Sequence, residues 1–403
     1  MTARRQRDRR PAADRRGSLV LVGLSFVGFV SIGLPDGLLG VAWPSMRRDL
    51  DVPLDALGGY LLAVVAGYLT ASVTSGRVVR RLGVGLVLAL SCLLTAGSLL
   101  GIALAPLWVL VLGFGIVAGL GAGAIDAGLN AFAALRFSPR AMNWMHASFS
   151  AGVAGGPVLM GALLDAGYPW RWGYGVVGAA QGLLGVAFLL TIDRWNVPGT
   201  SITAEDATRD GTEARPRRGA LLLAGAAFFT YTGAEVTAGG WAYSLLVEAR
   251  GMDGAPASLA VSGFWAALAG GRVLFGVIAN RLEAVSLVRA CGAGIVAGAL
   301  LVWLDAGTLA TVAGLVTIGF AAAPIFPTLI SSTPTRFGAR GATDVVGVQI
   351  GAAALGAALL PGLAGIFAAR TSLEIVPPFV ALLGGLMLAA HEGLLRRSLR
   401  APG

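Results

Sequence analysis

The chain has 403 residues, 56% of them apolar and 13% charged, with a mean hydropathy of +0.77. A water-soluble chain of this length carries about a quarter charged residues, so a soluble globular protein is excluded. All 30 basic residues are arginine and the net charge is +9; without a lysine there is no phosphate-gripping P-loop, which excludes ATP as the direct driving force.

Twelve apolar runs recur along the chain, centred near residues 31, 65, 94, 121, 155, 183, 233, 268, 294, 320, 356 and 384. Each is about 20 residues, enough to cross ~30 Å of hydrocarbon as a helix. The sequence therefore predicts an all-α membrane protein of twelve transmembrane helices. Residues 1–17 form a basic N-terminus. The apolar run after them is too long for a signal peptide and no small-residue cleavage site follows, so it reads as an uncleaved first span.

Within that span, "SIGLPDGLLG" places Asp36 between Pro35 and Gly37. The second span ends in "GRVVRRLG", with Arg77, Arg80 and Arg81. The fourth carries "AIDAGLNAFA", in which Asp126 and Asn130 share one helix face by their i, i+4 spacing. The fifth opens on "MNWMHASFSAG", with His146, and continues into the glycine-rich "GVAGGPVLMG". A polar linker, 196–218, separates a first six-span bundle, 18–195, from a second, 219–397. The seventh span holds Glu235 in "TGAEVTAGG", with Trp241 six residues on; the eighth holds Arg272. The tenth reads "AAAPIFPTL", and the eleventh opens on Asp344, with Gln349 after it.

With the N-terminus inside, only Arg47, Arg48, Arg171, Arg250 and Arg370 fall on the outer side, Arg272 lies within a span, and all other arginines are inside. This positive-inside pattern puts both termini in the cytoplasm of a multi-pass plasma-membrane protein. It also explains the basic balance without nucleic acid. Cys92 and Cys291 lie in apolar spans and read as small buried hydrophobes. Tryptophans at span ends (Trp43, Trp108, Trp144, Trp170, Trp172, Trp195, Trp303) read as interfacial belts. His391, near the C-terminus, reads as solvated.

A shift of about 200 residues superimposes the halves. "GRVVRRLG" falls on "GVIANRLE", Arg136-Phe137 on Arg336-Phe337, Cys92 near Cys291, and His146 near Gln349. Two six-span halves about a polar linker are the architecture of the major facilitator superfamily. "GRVVRRLG" resembles that superfamily's inner-loop motif and "GVIANRLE" its echo, except that Arg80 and Asn280 stand where the motif has an acid. "LPDGLLGVAWPSM", "AIDAGLNAFA", "MNWMHASFSAG" and "WAYSLLVEARGM" resemble the fucose–galactose–proton symporter family. By that resemblance Asp36 and Asp126 fall on the family's first-span and fourth-span acids, and Asn130 and His146 on substrate-cavity positions.

Among the acids, Asp36, Asp126 and Glu235 lie deep within spans, and among the bases only Arg272 does. An intramembrane charge of this kind costs about 2.5–3.5 kcal/mol on the insertion scale, so it must face a cavity or a partner. Asp36 and Glu235 are 199 residues apart, the repeat offset, and both sit among helix-disturbing glycines. Broken helices at corresponding places in two halves mark a transporter's binding site. A carboxyl group held away from water can load a proton on one side and release it on the other. Hence Asp36, Asp126 and Glu235 are assigned to proton coupling. Asn130, His146, Trp241 and Gln349 are assigned to substrate, with core packing the alternative for Trp241. Arg77, Arg80, Arg81, Arg272 and Asp344 are assigned to gating, the arginine cluster meeting Asp344 at the inner face.

The expected protein is a monomeric secondary transporter that takes up a sugar or similar polar solute with protons by alternating access. The alternatives are a proton-antiporting efflux pump for amphipathic compounds and a non-transporting receptor. An enzyme is not expected: there is no His-Glu-x-x-His, and two distant histidines argue against a metal site. No cofactor beyond the proton gradient is called for.

Overall fold

A computed structural model describes residues 12–137, 139–195, 218–278 and 281–398. The linker and the first eleven residues therefore lie outside the described part, as does Asn280. Among the described residues, twelve helices are long and apolar enough to cross a membrane. Spans 1 to 6 are Leu19–Asp49, Ala56–Leu82, Val84–Leu104, Trp108–Asn130, Trp144–Asp165 and Arg171–Leu190. Spans 7 to 12 are Arg218–Ala249, Gly254–Ile278, Ala284–Trp303, Thr308–Ser331, Val345–Arg370 and Leu373–Arg396.

The packing repeats as the sequence does. In the first half span 1 packs on span 5, span 2 on span 4 and span 3 on span 6; in the second, 7 packs on 11, 8 on 10 and 9 on 12. Glycine makes these approaches possible, since membrane helices associate by close packing rather than by expelling water. A Cβ on Gly33 would lie 2.2 Å from the Phe149 carbonyl oxygen, and one on Gly37 2.1 Å from that of Val153. In the second half, a Cβ on Gly356 would lie 2.1 Å from the Phe229 carbonyl oxygen.

The sequence suggested broken helices around Asp36 and Glu235. Instead the helix runs unbroken from Ala12 to Asp49 with Pro35 and Pro44 inside it, and span 7 is α-helical through Ser244 before a π-turn at Leu245–Ala249. The glycines there serve packing, not bending. The interruption lies in span 10, between the helices Thr308–Ala322 and Ile325–Ser331, at Pro324.

The halves meet where span 5 packs on 8, 2 on 11 and 1 on 7. At the face remote from the linker they are closed. Arg47 and Glu248 form an ion pair of 2.7 Å between spans 1 and 7, and a Cβ on Gly58 would lie 2.7 Å from Gly362 Cα. Toward the linker face, a Cβ on Gly347 or Gly351 of span 11 would meet nothing within 4 Å. The two halves are joined at the face remote from the linker.

Each half is also tied at the closed face by one arginine. Arg171, opening span 6, pairs with Asp49 of span 1 at 2.9 Å and donates to the Ala103 and Ala105 carbonyls at the end of span 3. Arg250, ending span 7, pairs with Glu374 of span 12 at 2.7 Å and donates to the Val302 carbonyl at the end of span 9. The same three-helix tie is thus built twice, with the charges exchanged between the equivalent helices.

Several aromatic and titratable groups sit differently from expectation. Trp144, Trp172 and Trp303 are exposed, as belt residues should be, but Trp43, Trp170 and Trp195 are buried. Trp195 packs on Phe132 and Phe188, and Trp170 donates to Asp49. A span-end tryptophan that finds a partner inside the bundle has no need of the interface. His391 is fully buried rather than solvated, because span 12 turns it inward.

Candidate functional site

Span 1 packs on spans 4, 5, 6 and 7, and of its two acids Asp49 lies at its end and Asp36 at mid-span. Asp36 is nonetheless exposed, and it therefore opens onto the space between the halves. Its charge is felt at Tyr60 and Tyr68 of span 2 and Tyr174 of span 6. Among the described residues no side chain hydrogen bonds or pairs with it. Asp36 is a bare carboxyl group facing a cleft.

Asp126 is held differently. Tyr68 donates its hydroxyl to Oδ2 at 2.7 Å, and Asn130 donates Nδ2 to Oδ1 at 2.9 Å. The i, i+4 spacing of Asp126 and Asn130 supplies the second bond from within span 4. Both residues remain half-buried, leaving acceptor lone pairs and one amide proton for a ligand.

Glu235, buried in span 7, forms the third group. Arg272 of span 8 lies 3.5 Å from Oε1, and the Tyr231 hydroxyl contacts Oε2. Tyr231 also lies 3.0 Å from the Ala322 carbonyl, beside the interruption in span 10. One hydroxyl carries a single proton. It therefore serves only one of these two acceptors at a time. Arg272 reaches across the halves as well, donating from Nη1 to Ser150 Oγ of span 5 at 2.8 Å.

His146 is exposed at the start of span 5, its ring edge-on to Phe29 at a centroid distance of 5.0 Å. It is within electrostatic reach of both Asp126 and Arg272, so it stands between the two polar groups. Asp126, Asn130, His146, Glu235 and Arg272 are thus linked by hydrogen bonds, an ion pair and electrostatic reach, and Asp36 joins them through Tyr68.

Two proposed substrate contacts are not there. Trp241 is fully buried and donates Nε1 to the Pro361 carbonyl at 2.9 Å, fixing span 7 to span 11. Its ring has no face left for a ligand, which is the packing alternative. Gln349 is buried inside the second half on Thr333, since span 11 turns it toward spans 10 and 12 instead of the cleft. Arg77, Arg80 and Arg81 are exposed at the linker-side end of span 2. The side chain of Asp344 lies outside the described residues.

The sequence reading missed Tyr68, Tyr231 and Ser150. Tyr231 carried a signal, the i−4 position relative to Glu235. Tyr68 and Ser150 carried none, since their partners lie 58 and 122 residues away.

Comparison with known proteins bears on what this cleft belongs to. The Major Facilitator Superfamily profile matches residues 25–361. "Bypass of stop codon protein 6" of Saccharomyces cerevisiae is 22% identical over 394 residues, covering 87% of this chain and 77% of the yeast protein. The fold is similar to two crystal structures of a bacterial homolog of the human lysosomal transporter Spinster. The inward-facing occupied form has a TM-score of 0.65 at 14% identity, covering 97% of this chain and 96% of that one. The inward-facing unoccupied form has a TM-score of 0.68 at 16% identity, covering 96% and 99%. With twelve spans in two repeated halves around a polar cleft, and a family match over most of its length, this chain belongs to the major facilitator superfamily and is a transporter rather than an enzyme.

Proposed function

We propose that the chain is a proton-coupled secondary transporter that takes up a sugar or a similar small polar solute by alternating access. The observation that carries the reading is Asp36, an acid facing the cleft with no protein partner among the described residues. Such a group has no structural reason to remain in a span, where its cost is about 2.5–3.5 kcal/mol; a proton or ligand supplies the reason. Asp126, with Tyr68 and Asn130, offers acceptors and donors suited to sugar hydroxyls. Glu235 offers a second proton site, linked through Tyr231 to the interruption in span 10. Asn130 and His146 are assigned to substrate, and Arg272 to communication between the halves. The arginine distribution supports cytoplasmic termini in a plasma-membrane protein, and the chain is proposed to act as a monomer.

A second reading, proton-antiporting efflux of an amphipathic cation, draws on the same bare carboxylate, which would pair with a ligand's positive charge. Purified protein in liposomes distinguishes them. Labelled sugars should accumulate when the exterior is acidic, and collapse of the gradient with an ionophore should stop accumulation. Accumulation of amphipathic cations driven by an acidic interior, with no sugar uptake, would replace the first reading with the second.

A further inference from the structure

A small cavity lies within the second half, between spans 7, 10, 11 and 12, with four polar side chains in a mostly apolar lining. Phe228, Leu329, Thr333, Arg336, Gln349 and His391 line it, and it encloses about 10 Å³, room for one water-sized particle. His391 is fully buried and neither ring nitrogen has a hydrogen-bond partner. A buried imidazole left in that condition is unfavourable, so the cavity calls for an occupant. Arg336 is the second, independent observation. It is half-buried, and among the described residues no carboxylate pairs with it. Glu392, next to His391 in the chain, is already held by Arg289 through two hydrogen bonds of 2.6 and 2.8 Å.

We propose that this cavity binds a single monatomic anion of chloride size, held by Arg336, the His391 N–H and the Gln349 amide. A water molecule would satisfy the imidazole but leave a partly desolvated guanidinium without a counter-charge. An anion accepts from both the guanidinium and the single imidazole N–H, and hydrogen bonds to an ionised partner are the stronger kind. A phosphate or other tetrahedral oxyanion is too large for the space. Gln349 has its carbonyl oxygen on Thr333 at 3.0 Å, which turns its amide, the donor end, to the remaining contacts. The site joins the interrupted span 10 to spans 11 and 12, so its occupant would stabilise the second half whatever the transported substrate.

The test uses the purified full-length protein in detergent, heated in sodium chloride, sodium bromide or sodium gluconate at matched ionic strength. Ligand binding to the native state raises the unfolding midpoint. The midpoint should rise with either halide above its value in gluconate and saturate. Arg336→Gln should need at least about tenfold more chloride for half the rise, as expected for loss of one charge-assisted contact. Gln349→Leu, which leaves both charged and aromatic neighbours in place, should weaken the halide effect in the same direction if Arg336→Gln does not fold. Anomalous diffraction from bromide-soaked crystals should place one peak beside His391. Identical curves in chloride and gluconate would overturn the site and leave the cavity to water. A halide effect unchanged in both variants would overturn it as well, by locating the anion elsewhere.

Discussion

Arg272 is the residue on which the polar groups of the two halves converge. It donates to Ser150 of the first half and lies 3.5 Å from Glu235 of the second. The pair is mostly buried, and leaving a buried carboxylate without its charged partner costs about 3–5 kcal/mol. Arg272→Gln should therefore still fold, with a lowered unfolding midpoint, and should lose transport. Wild-type transport in that variant would mean the guanidinium only snorkels to the surface. The need for such a partner was legible in sequence, because a lone arginine inside a span demands an acid. Which acid was not, since Asp36, Asp126 and Glu235 are equally deep along the chain and only packing selects Glu235. Trp241 shows the same limit: its place near Glu235 along the helix says nothing of which way the ring turns.

At the scale of the element, the ties made by Arg171 and Arg250 allow a comparison inside one molecule. Arg250 has 8% of its side chain exposed, whereas Arg171 has 29% and its partner Asp49 has 47%. Hydrogen bonds to Glu374, more than offsetting the loss of water, push the Arg250 pKa above its usual value, so it remains charged at any working pH. Breaking a buried pair costs about 3–5 kcal/mol and an exposed one about 1 kcal/mol or less; the Arg250 tie, whose Glu374 partner is 38% exposed, falls between them. Arg250→Gln should thus lower the unfolding midpoint several times more than Arg171→Gln, measured on both proteins in the same detergent. Equal shifts would show that burial does not govern these ties. Helix number and order were readable from apolar run length alone. The role of the glycines was not: Gly33 and Gly37 could either bend a helix or admit a neighbour, and only the carbonyls of span 5, 2.2 and 2.1 Å from their would-be Cβ atoms, decide for packing.

For the whole molecule, the repeat was visible because equivalent residues recur about 200 positions apart, and the halves pack in the same helix order. Which face is closed could not be read, since one sequence must specify every facing state. The structure holds the halves together through Arg47–Glu248 and Gly58–Gly362 at the face remote from the linker. Alternating access requires the other face to close in turn, and the arginine cluster of span 2 with Asp344 is the proposed contact there. Cysteines at positions 81 and 344 should crosslink more readily when substrate and an imposed gradient favour the opposite facing state; equal crosslinking in all conditions would count against this gate.

The central claim is that Asp36 carries the coupled proton, and one substitution addresses it directly. Asp36→Asn fixes a neutral side chain of the same shape, so the loaded protein should still change facing state. It should no longer let a gradient bias that change, because a ligand shifts an equilibrium only by binding its states differently. The measurement is transport by Asp36→Asn in liposomes. Exchange of labelled for unlabelled substrate should persist while accumulation driven by an acidic exterior disappears. Full gradient-driven accumulation by Asp36→Asn would contradict the account.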